Sequence, residues 1–450
     1  MLAVQRMTAV SKEYFLSQLF AEFNQTQIDY FVIGEYQALP VDTNGSDIDI
    51  VVSEATHTKL VGVLSSCARK DITILASYYY NGNEEMFRFM SSSWGLQIDV
   101  FCSGLYYQGV SYFPIEYLEK HIILHNGIRV LDRQYGFCVD FFKEILHNGR
   151  AKPKYCEAFL SAVKEDEAKI KEEIIACYSP AIWNLLYQLH SVEQLNSSGR
   201  QIRSLLLQCM KSLPFCIRKM AYQIKRLWRL FQPRPGYVIV VEGTDGSGKS
   251  AIINALTPWM NEGFHNSVVY NHLRPRWLPD IAVLLGKRDV HAKAEVVSQP
   301  HAGAPSGLVG SFARWLYYMH DYTWGYLITV WSKIRIRSYV YIFDRYYYDY
   351  YIDPRRSSTK LPHWILRLGE LCMPKPDIIL CLGGDPEKIY ARKPETSLEE
   401  VKRQTEELKQ FAAKRKNAVW IDTTQPMENS IRDAKTAILH VMSWRFKNIL

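Results

Sequence analysis

Several common features are missing from this 450-residue sequence, and each absence disfavours a class of protein. The opening residues, MLAVQRMTAVSKEYF, contain no apolar core of the length that a secretory leader needs, so we do not expect secretion. No run of about 18 uncharged apolar residues occurs, and the nearest candidate, Tyr322–Trp331, predicts a buried helix instead of a membrane span. The nine cysteines include no Cys-x-x-Cys pair, which disfavours a metal cluster and favours thiols in a reducing cytoplasm.

Acidic residues are missing from one long segment. Between Gly199 and Gly236 the chain has no Asp or Glu, whereas nine residues are basic: Arg200, Arg203, Lys211, Arg218, Lys219, Lys225, Arg226, Arg229 and Arg234. Because Leu, Ile, Trp and Phe are interspersed among these charges, one interpretation of 199–234 is a peripheral membrane or polyanion contact. The other is an inter-domain helix with a solvated basic stripe. No dedicated nucleic-acid-binding motif is recognisable.

The sequence divides into three zones. Residues 1–150 alternate short apolar runs with turn signals, residues 151–234 are helical in pattern, and residues 235–450 alternate strand-like runs with long helical stretches. The last pattern predicts an α/β domain with a doubly wound, parallel five-stranded sheet, since strands covered on both faces lack polar alternation. The expected strands are Tyr237–Glu242, Ser267–His272, Tyr339–Asp344, Asp377–Leu382 and Ala418–Asp422.

A glycine-rich phosphate motif follows the first of these strands. Residues 243–250, GTDGSGKS, fit the pattern GxxxxGK[ST] between a strand and a helix, where backbone N–H groups can converge on phosphate oxygens. We expect Lys249 to bridge the β- and γ-phosphates and Ser250 to offer its hydroxyl to Mg²⁺. The motif therefore predicts ATP and Mg²⁺ as ligands. The expected ATP-binding residues of the loop are Gly243, Thr244, Asp245, Gly246, Ser247, Gly248, Lys249, Ser250 and Ala251.

Two further elements lie where phosphate chemistry needs charge. Asp344 and Arg345 follow a predicted strand, at the edge that lines the ligand crevice in open α/β sheets. Asp344 is expected to hold Mg²⁺ or its water and Arg345 a phosphoryl group; the alternative is a surface ion pair. The basic loop 391–395 predicts a lid that brings Arg392 or Lys393 to the transferring phosphate, and the alternative is a solvated charge run.

Four segments resemble thymidylate kinase: EGTDGSGKS, FDRYYYDYYIDPRR, PDIILCLGGDPEKIYARKPE and VWIDTTQP. They are similar to its P-loop, Asp-Arg motif, lid approach and adenine-side loop. The resemblance implies Mg²⁺- and ATP-dependent phosphorylation of an acceptor like a nucleoside monophosphate, with Lys249, Asp344, Arg345 and Arg392 in catalysis. It also places Thr423 and Gln425 at the adenine edge. The candidate acceptor contacts are Arg274, Arg314, Asp321 and Tyr322, for the last three of which packing of an aromatic helix is the alternative.

The arrangement also resembles thymidylate kinase-like proteins of bacterial surface-polysaccharide gene clusters. The shared features are an N-terminal segment, a PHA-containing loop within 298–310 and a DYxxGY helix. This resemblance implies a sugar or glycan intermediate as the acceptor. A third interpretation is a nucleotide-binding regulatory or assembly protein. We expect a cytoplasmic protein with or without peripheral membrane contact, and a homodimer is a further hypothesis.

The N-terminal zone contains a separate group of carboxylates. Asp47 and Asp49 are two residues apart on a predicted strand and so share a face, and Asp99 lies on another strand. Three such carboxylates suit Mg²⁺ bound to a nucleoside triphosphate. Together with Gly34, the pattern resembles the α+β nucleotidyltransferase domain of the polymerase-beta superfamily, which implies nucleotidyl transfer. Glu35 stands where that family has a small residue, so the alternative is a degenerate domain that serves as scaffold or binding module.

Overall fold

The computed structural model describes residues 10–70, 73–80, 84–210, 213–284, 307–354, 356 and 360–446. Residues 298–306 of the predicted PHA-containing loop lie outside this part of the chain. The chain forms two compact units, an N-terminal unit up to Gln232 and a C-terminal unit from Pro233 to Arg445. The division falls at the linker that contains Pro233 and Pro235.

The N-terminal unit contains a mixed seven-stranded sheet and a separate two-stranded hairpin. The strands are β1 Tyr30–Ile33, β2 Ile48–Val52, β3 Ile74–Tyr80, β4 Glu84–Met90, β5 Gly95–Cys102, β6 Gly104–Tyr107, β7 Val110–Pro114, β8 Ile122–His125 and β9 Ile128–Leu131. The large sheet has the order β3-β4-β5-β2-β1-β9-β8, and β6 pairs with β7. Strand β2 runs parallel to β5 and antiparallel to β1, so that β2 is central.

The helices of this unit come before, between and after the strands. They are α1 Lys12–Gln25, α2 Glu54–Lys70, α3 Ile115–Leu118, α4 Arg133–Asn148, α5 Pro153–Glu165, α6 Glu167–Cys177, α7 Pro180–Tyr187, α8 Val192–Ser197, α9 Gly199–Met210 and α10 Leu213–Trp228. Short 3₁₀ turns cover Glu119–His121 and Arg229–Phe231. One apolar core joins Phe31 of the sheet with Ile182, Leu195 and Leu206. The helices within 151–234 therefore contribute to the core of the N-terminal unit as far as Leu206.

The C-terminal unit is built on a fully parallel five-stranded sheet. Its strands are β10 Tyr237–Gly243, β11 Val268–His272, β12 Val340–Asp344, β13 Ile378–Gly383 and β14 Ala418–Asp422. Their order is β11-β12-β10-β13-β14, and every neighbouring pair is parallel. The prediction of a parallel five-stranded sheet is confirmed, with each strand within one residue of its expected bounds. Strands β10 and β13 are buried along their whole length, as the uninterrupted apolar runs predict.

The helices of the C-terminal unit connect these strands. They are α11 Lys249–Gly263, α12 Ile281–Leu284, α13 Leu308–His320, α14 Ser332–Ile336, α15 Asp349–Ile352, α16 His363–Leu371, α17 Pro386–Arg392, α18 Leu398–Lys414 and α19 Met427–Phe446, with a π-helix over Asp321–Trp331. The π-helix corrects the prediction of a buried helix at 322–331. It buries Tyr322 and Tyr326, but Trp324 and Ile328 are exposed because only one of its faces packs on the core. In the described part of the chain, no helix is long and apolar enough to cross a membrane.

Candidate phosphate site

The phosphate loop joins the end of β10 to the start of α11. Gly246 and Gly248 have φ angles of +81° and +82°, in the left-handed region that favours glycine. A Cβ atom on Gly246 would also lie 2.7 Å from the carbonyl oxygen of Ile389 and 3.2 Å from Cβ of Lys393. The loop therefore requires glycine at 246 for two reasons, its backbone conformation and the close approach of residues 389–393.

Lys249 is buried at the first position of α11, and its side chain folds back over the loop. Its Nζ donates hydrogen bonds to the carbonyl oxygens of Gly243, at 2.9 Å, and Thr244, at 2.7 Å. Burial, together with the positive charge of Arg345, lowers the pKa of Lys249 to about 7. A bound polyphosphate would favour the charged form, since an anion close to an ammonium raises its pKa.

Asp344 ends β12, directly beside the phosphate strand. It pairs in parallel register with Val241 of β10, which places its carboxylate at the same edge of the sheet as the loop. Its Oδ2 accepts a hydrogen bond from the hydroxyl of Tyr270 at 3.2 Å and lies 3.4 Å from Nδ1 of His272. Burial alone would raise the pKa of Asp344, but His272 and the nearby cations outweigh it and lower the pKa to about 2. This carboxylate is therefore ionised at neutral pH.

Arg345 follows Asp344 with a φ of +64°, and its side chain is buried against the loop. Its Nη2 donates to Oδ1 of Asp245 at 2.8 Å, and its Nε lies 3.5 Å from Oδ2 of Asp349. Burial by itself would lower the pKa of Arg345, but the carboxylates of Asp349 and Asp245 raise it above its ordinary value. The predicted catalytic residues Lys249, Asp344 and Arg345 are thus brought together around one loop.

Three further charged residues complete the cluster, and none of them was predicted from the sequence. Glu242 is fully buried at the end of β10, where its Oε1 accepts from the backbone N–H of Tyr346 at 2.8 Å, and burial together with Asp349 raises its pKa. Burial also raises the pKa of Asp349 to about 6. Arg356 forms an ion pair with Asp245. An acidic residue at the end of a run such as YVIVVE, immediately before a phosphate motif, was the available signal for Glu242.

Buried polar atoms without a hydrogen-bond partner are concentrated here. Among the described residues nine such side-chain atoms occur, and five belong to this site: Glu242 Oε2, Thr244 Oγ1, Ser247 Oγ, Asp344 Oδ1 and Arg345 Nε. Buried polar groups are ordinarily satisfied, so a group of unsatisfied ones indicates a place for a ligand. Carboxylate oxygens suit Mg²⁺, whereas hydroxyls and a guanidinium N–H suit phosphate oxygens. The residues present therefore fit a magnesium-bound nucleotide.

The remaining predicted ATP contacts surround the loop. Ser250 and Ala251 are exposed on the first turn of α11. Thr423 is buried beside Gly248 and donates to the carbonyl oxygen of Gly383 through both its backbone N–H, at 2.7 Å, and its hydroxyl, at 3.1 Å. Gln425 donates to Oδ2 of Asp433 at 2.9 Å. Contact between Thr423 or Gln425 and adenine stays a prediction.

The predicted lid is partly helical. Helix α17 continues through Arg392, so Ala391 and Arg392 belong to a helix end and not to the loop that the sequence indicated. Nη1 of the exposed Arg392 donates to the carbonyl oxygen of Thr423 at 2.9 Å. Lys393 lies against Gly246 of the phosphate loop and is 2.9 Å from the carboxylate of Glu395. The segment therefore adjoins the phosphate loop, whereas its closure over a substrate stays a prediction.

The candidate acceptor residues make internal contacts. The fully buried Asp321 accepts hydrogen bonds from the backbone N–H groups of Arg276, Trp277 and Leu278 at 2.8–3.2 Å and forms an ion pair with Arg274. Arg274 also pairs with Asp280, and Tyr322 donates its hydroxyl to the carbonyl oxygen of Leu273 at 2.8 Å. These contacts fix segment 273–280 to the π-helix. Acceptor binding by Arg274, Asp321, Tyr322 and the half-buried Arg314 stays a prediction.

In the N-terminal unit, the sheet brings the three predicted carboxylates together. Asp49 and Asp99 are register partners on the parallel strands β2 and β5, and Asp47, Asp49 and Asp99 each offer an oxygen within 4.8 Å of the others. Burial, Glu84 and Asp49 raise the pKa of Asp99. Lys143, which was not predicted from the sequence, donates from its Nζ to Oδ2 of Asp49 at 3.3 Å.

The glycine and glutamate of this N-terminal pattern occupy different environments. Gly34 has a φ of +82°, which favours glycine, and a Cβ there would have open space around it. Glu35 forms an ion pair with Lys154 of α5. Its negative charge is therefore partly neutralised within the unit.

Among known proteins, this chain is similar only to solved structures in the comparisons made by family model, by curated sequence and by structure. No family model matches this chain, and no curated protein matches its sequence. Among solved structures, thymidylate kinase from Candida albicans covers 46% of this chain and 92% of its own, at 19% identity and a TM-score of 0.33. Thymidylate kinase from Ehrlichia chaffeensis covers 46% of this chain and 100% of its own, at 18% identity and a TM-score of 0.31. The strand order β11-β12-β10-β13-β14 and the glycine loop after β10 belong to an α/β fold with a parallel sheet.

Proposed function

We propose that the C-terminal unit is a kinase that transfers the γ-phosphoryl group of Mg·ATP to an acceptor resembling a nucleoside monophosphate. The observation that carries this proposal is the convergence of Lys249, Asp344 and Arg345 around the glycine loop, where buried polar atoms lack partners. A magnesium-bound polyphosphate supplies the charges and acceptor oxygens that would satisfy these atoms.

The chemistry expected of these residues is positioning and charge stabilisation. Lys249 and the backbone N–H groups at the start of α11 hold the phosphates, while Asp344 and the hydroxyl of Ser250 would hold Mg²⁺. Bound Mg²⁺ would supply a positive charge that offsets the negative charge spread over the phosphate oxygens. Arg345 is held by Asp245 and Asp349, so that its guanidinium needs little reorganisation to contact a phosphoryl oxygen.

Two residues near the phosphate loop favour an acceptor that carries both a phosphate and a planar base. Arg345 gives a buried cation for an acceptor phosphate. The half-exposed Tyr270, whose hydroxyl reaches Asp344, offers a ring on which a base could stack. A sugar or glycan intermediate would need hydroxyl-binding groups instead. A regulatory protein would bind ATP without any acceptor.

The test is release of ADP from Mg·ATP, with and without dTMP or other nucleoside monophosphates. Stimulation by one of them, abolished in Lys249→Met and retained in Lys409→Met, would support the proposal; Lys409 is exposed on α18. Tight ATP binding without stimulation by any nucleoside monophosphate would contradict it. Stimulation by sugar phosphates instead would favour the glycan alternative.

The cluster Asp47, Asp49 and Asp99 favours a second function, nucleotidyl transfer by the N-terminal unit. These carboxylates would hold the Mg²⁺ of a nucleoside triphosphate, and bound Mg²⁺ would polarise its α-phosphate. Pyrophosphate release from Mg·nucleoside triphosphates tests this function. We expect Asp49→Asn to abolish it, and Asp42→Asn, at a half-exposed carboxylate paired with Lys12, to preserve it. Loss of pyrophosphate release in Lys249→Met but not in Asp49→Asn would contradict the assignment.

A further inference from the structure

Helix α10 exposes a continuous apolar face. Its members, between 59% and 80% exposed, are Ile217, Met220, Ile224, Leu227, Trp228 and Phe231, the last in the 3₁₀ turn that follows. At about 100° per residue they lie within one arc of about 100°, which we call the apolar stripe. A helix of a globular protein normally turns such a stripe toward the core. In α10 it is turned toward solvent.

The opposite side of α10 is attached to the N-terminal unit. Gly109, in the turn between β6 and β7, has a φ of +83°, and a Cβ there would lie 2.7 Å from Cβ of Tyr222 and 3.3 Å from the carbonyl oxygen of Arg218. On the helical wheel Tyr222 lies roughly opposite the centre of the stripe. The hairpin therefore holds the helix from behind and leaves the stripe outward.

Positive charges lie on both sides of the stripe. On the helical wheel Lys225 and Arg218 lie about 60° and 80° beyond one edge of the stripe and Lys219 about 80° beyond the other, and all three side chains are exposed. The whole segment from Gly199 to Gly236 contains no acidic residue. Apolar residues flanked by Lys and Arg are the composition of helices that lie in the interface of an anionic membrane, where long basic side chains reach the headgroups.

We propose that α10 is an interfacial helix, with which the protein lies on an anionic lipid surface through the apolar stripe. The stripe would enter the boundary between headgroups and acyl chains, and Arg218, Lys219 and Lys225 would contact lipid phosphates and carboxylates. A second copy of the same face would place like charges together, and a nucleic acid would leave the stripe in water. An anionic lipid surface offers acyl chains to the apolar stripe and negative charges to the basic side chains.

Co-sedimentation of the full chain with lipid vesicles tests this assignment. We expect binding to vesicles of phosphatidylcholine and phosphatidylserine at about 7:3, and at least about tenfold weaker binding to phosphatidylcholine alone. The double variant Ile224→Asp, Leu227→Asp is expected to lower the partition coefficient at least about tenfold. The matched control is Leu371→Asp, which adds a charge at an 81% exposed residue of α16 and is expected to bind as the wild type does.

Further variants distinguish a lipid surface from a part of this chain or a second copy of it as the partner of the apolar stripe. Lys219→Glu, Lys225→Glu is expected to weaken binding to the anionic vesicles while leaving the melting temperature unchanged. A fall in melting temperature in the Ile224, Leu227 variant would mean that the stripe covers part of this chain, which overturns the proposal. Wild-type dimerisation lost in that variant, or vesicle binding equal in all variants, would overturn it as well.

Discussion

Asp344→Asn tests the proposed Mg²⁺ site with little change of shape. Asp344 has one oxygen near Tyr270 and His272 and another that is buried without a hydrogen-bond partner. The amide keeps the volume but removes the charge that a hard cation needs. Loss of one charge-assisted contact costs about 1.5–3 kcal/mol, so the Mg²⁺ concentration for half-maximal nucleotide binding should rise roughly 10- to 150-fold.

The assay is an Mg²⁺ titration of the fluorescence of a methylanthraniloyl-ATP at fixed nucleotide and protein. Asp385→Asn is the matched control, because Asp385 caps α17 outside the cluster and Asn caps a helix equally well. The control should titrate as the wild type does. A half-saturating Mg²⁺ concentration for Asp344→Asn within about twofold of the wild-type value would refute the assignment.

Three further predictions concern the C-terminal unit and a matched control. Gly325→Ala should destabilise the protein by roughly 2–4 kcal/mol in urea denaturation, because the new Cβ would lie 2.5 Å from Oδ1 of Asp321. The matched control, Gly62→Ala, places its Cβ in open space on α2 and should stabilise the protein by about 0.5–1 kcal/mol. The pKa of Lys249 is about 7 in the folded protein, against an ordinary value of 10.5, so between these pH values the folded state binds fewer protons than the unfolded state. The free energy of unfolding should therefore rise by about 2 kcal/mol from about pH 7.5 to 9. This rise should be absent in Lys249→Met. Gly246→Ala should abolish ATP binding in equilibrium dialysis, because the loop cannot keep its conformation.

The sequence predicts those features that depend on local pattern. The buried parallel strands are uninterrupted apolar runs, so their bounds could be read within a residue. The phosphate loop has a fixed spacing and a fixed context. The closeness of Asp49 and Asp99 follows from their strands, since the two residues are register partners on β2 and β5. Asp47 was predicted on the same strand as Asp49, but it lies one residue before β2, and its oxygen still comes within 4.8 Å of the other two.

The features of the site that could not be predicted depend on contacts between residues far apart in the sequence. Glu242 and Asp349 are separated by more than a hundred positions, so Asp349 raises the pKa of Glu242 only when β10 and the segment after β12 meet. The carboxylate of Asp321 accepts the N–H groups of a segment more than forty residues earlier. No periodicity in the sequence indicates such a partner.

Transfer of label from [γ-³²P]ATP tests the central claim most directly. The wild-type protein, Lys249→Met and the control Lys409→Met are each incubated with Mg²⁺ and a panel of nucleoside monophosphates that includes dTMP. We predict label in a nucleoside diphosphate for the wild type and the control, and none for Lys249→Met. Label that stays in ATP or appears only as inorganic phosphate with every nucleoside monophosphate, although ATP binds, would contradict the proposed reaction.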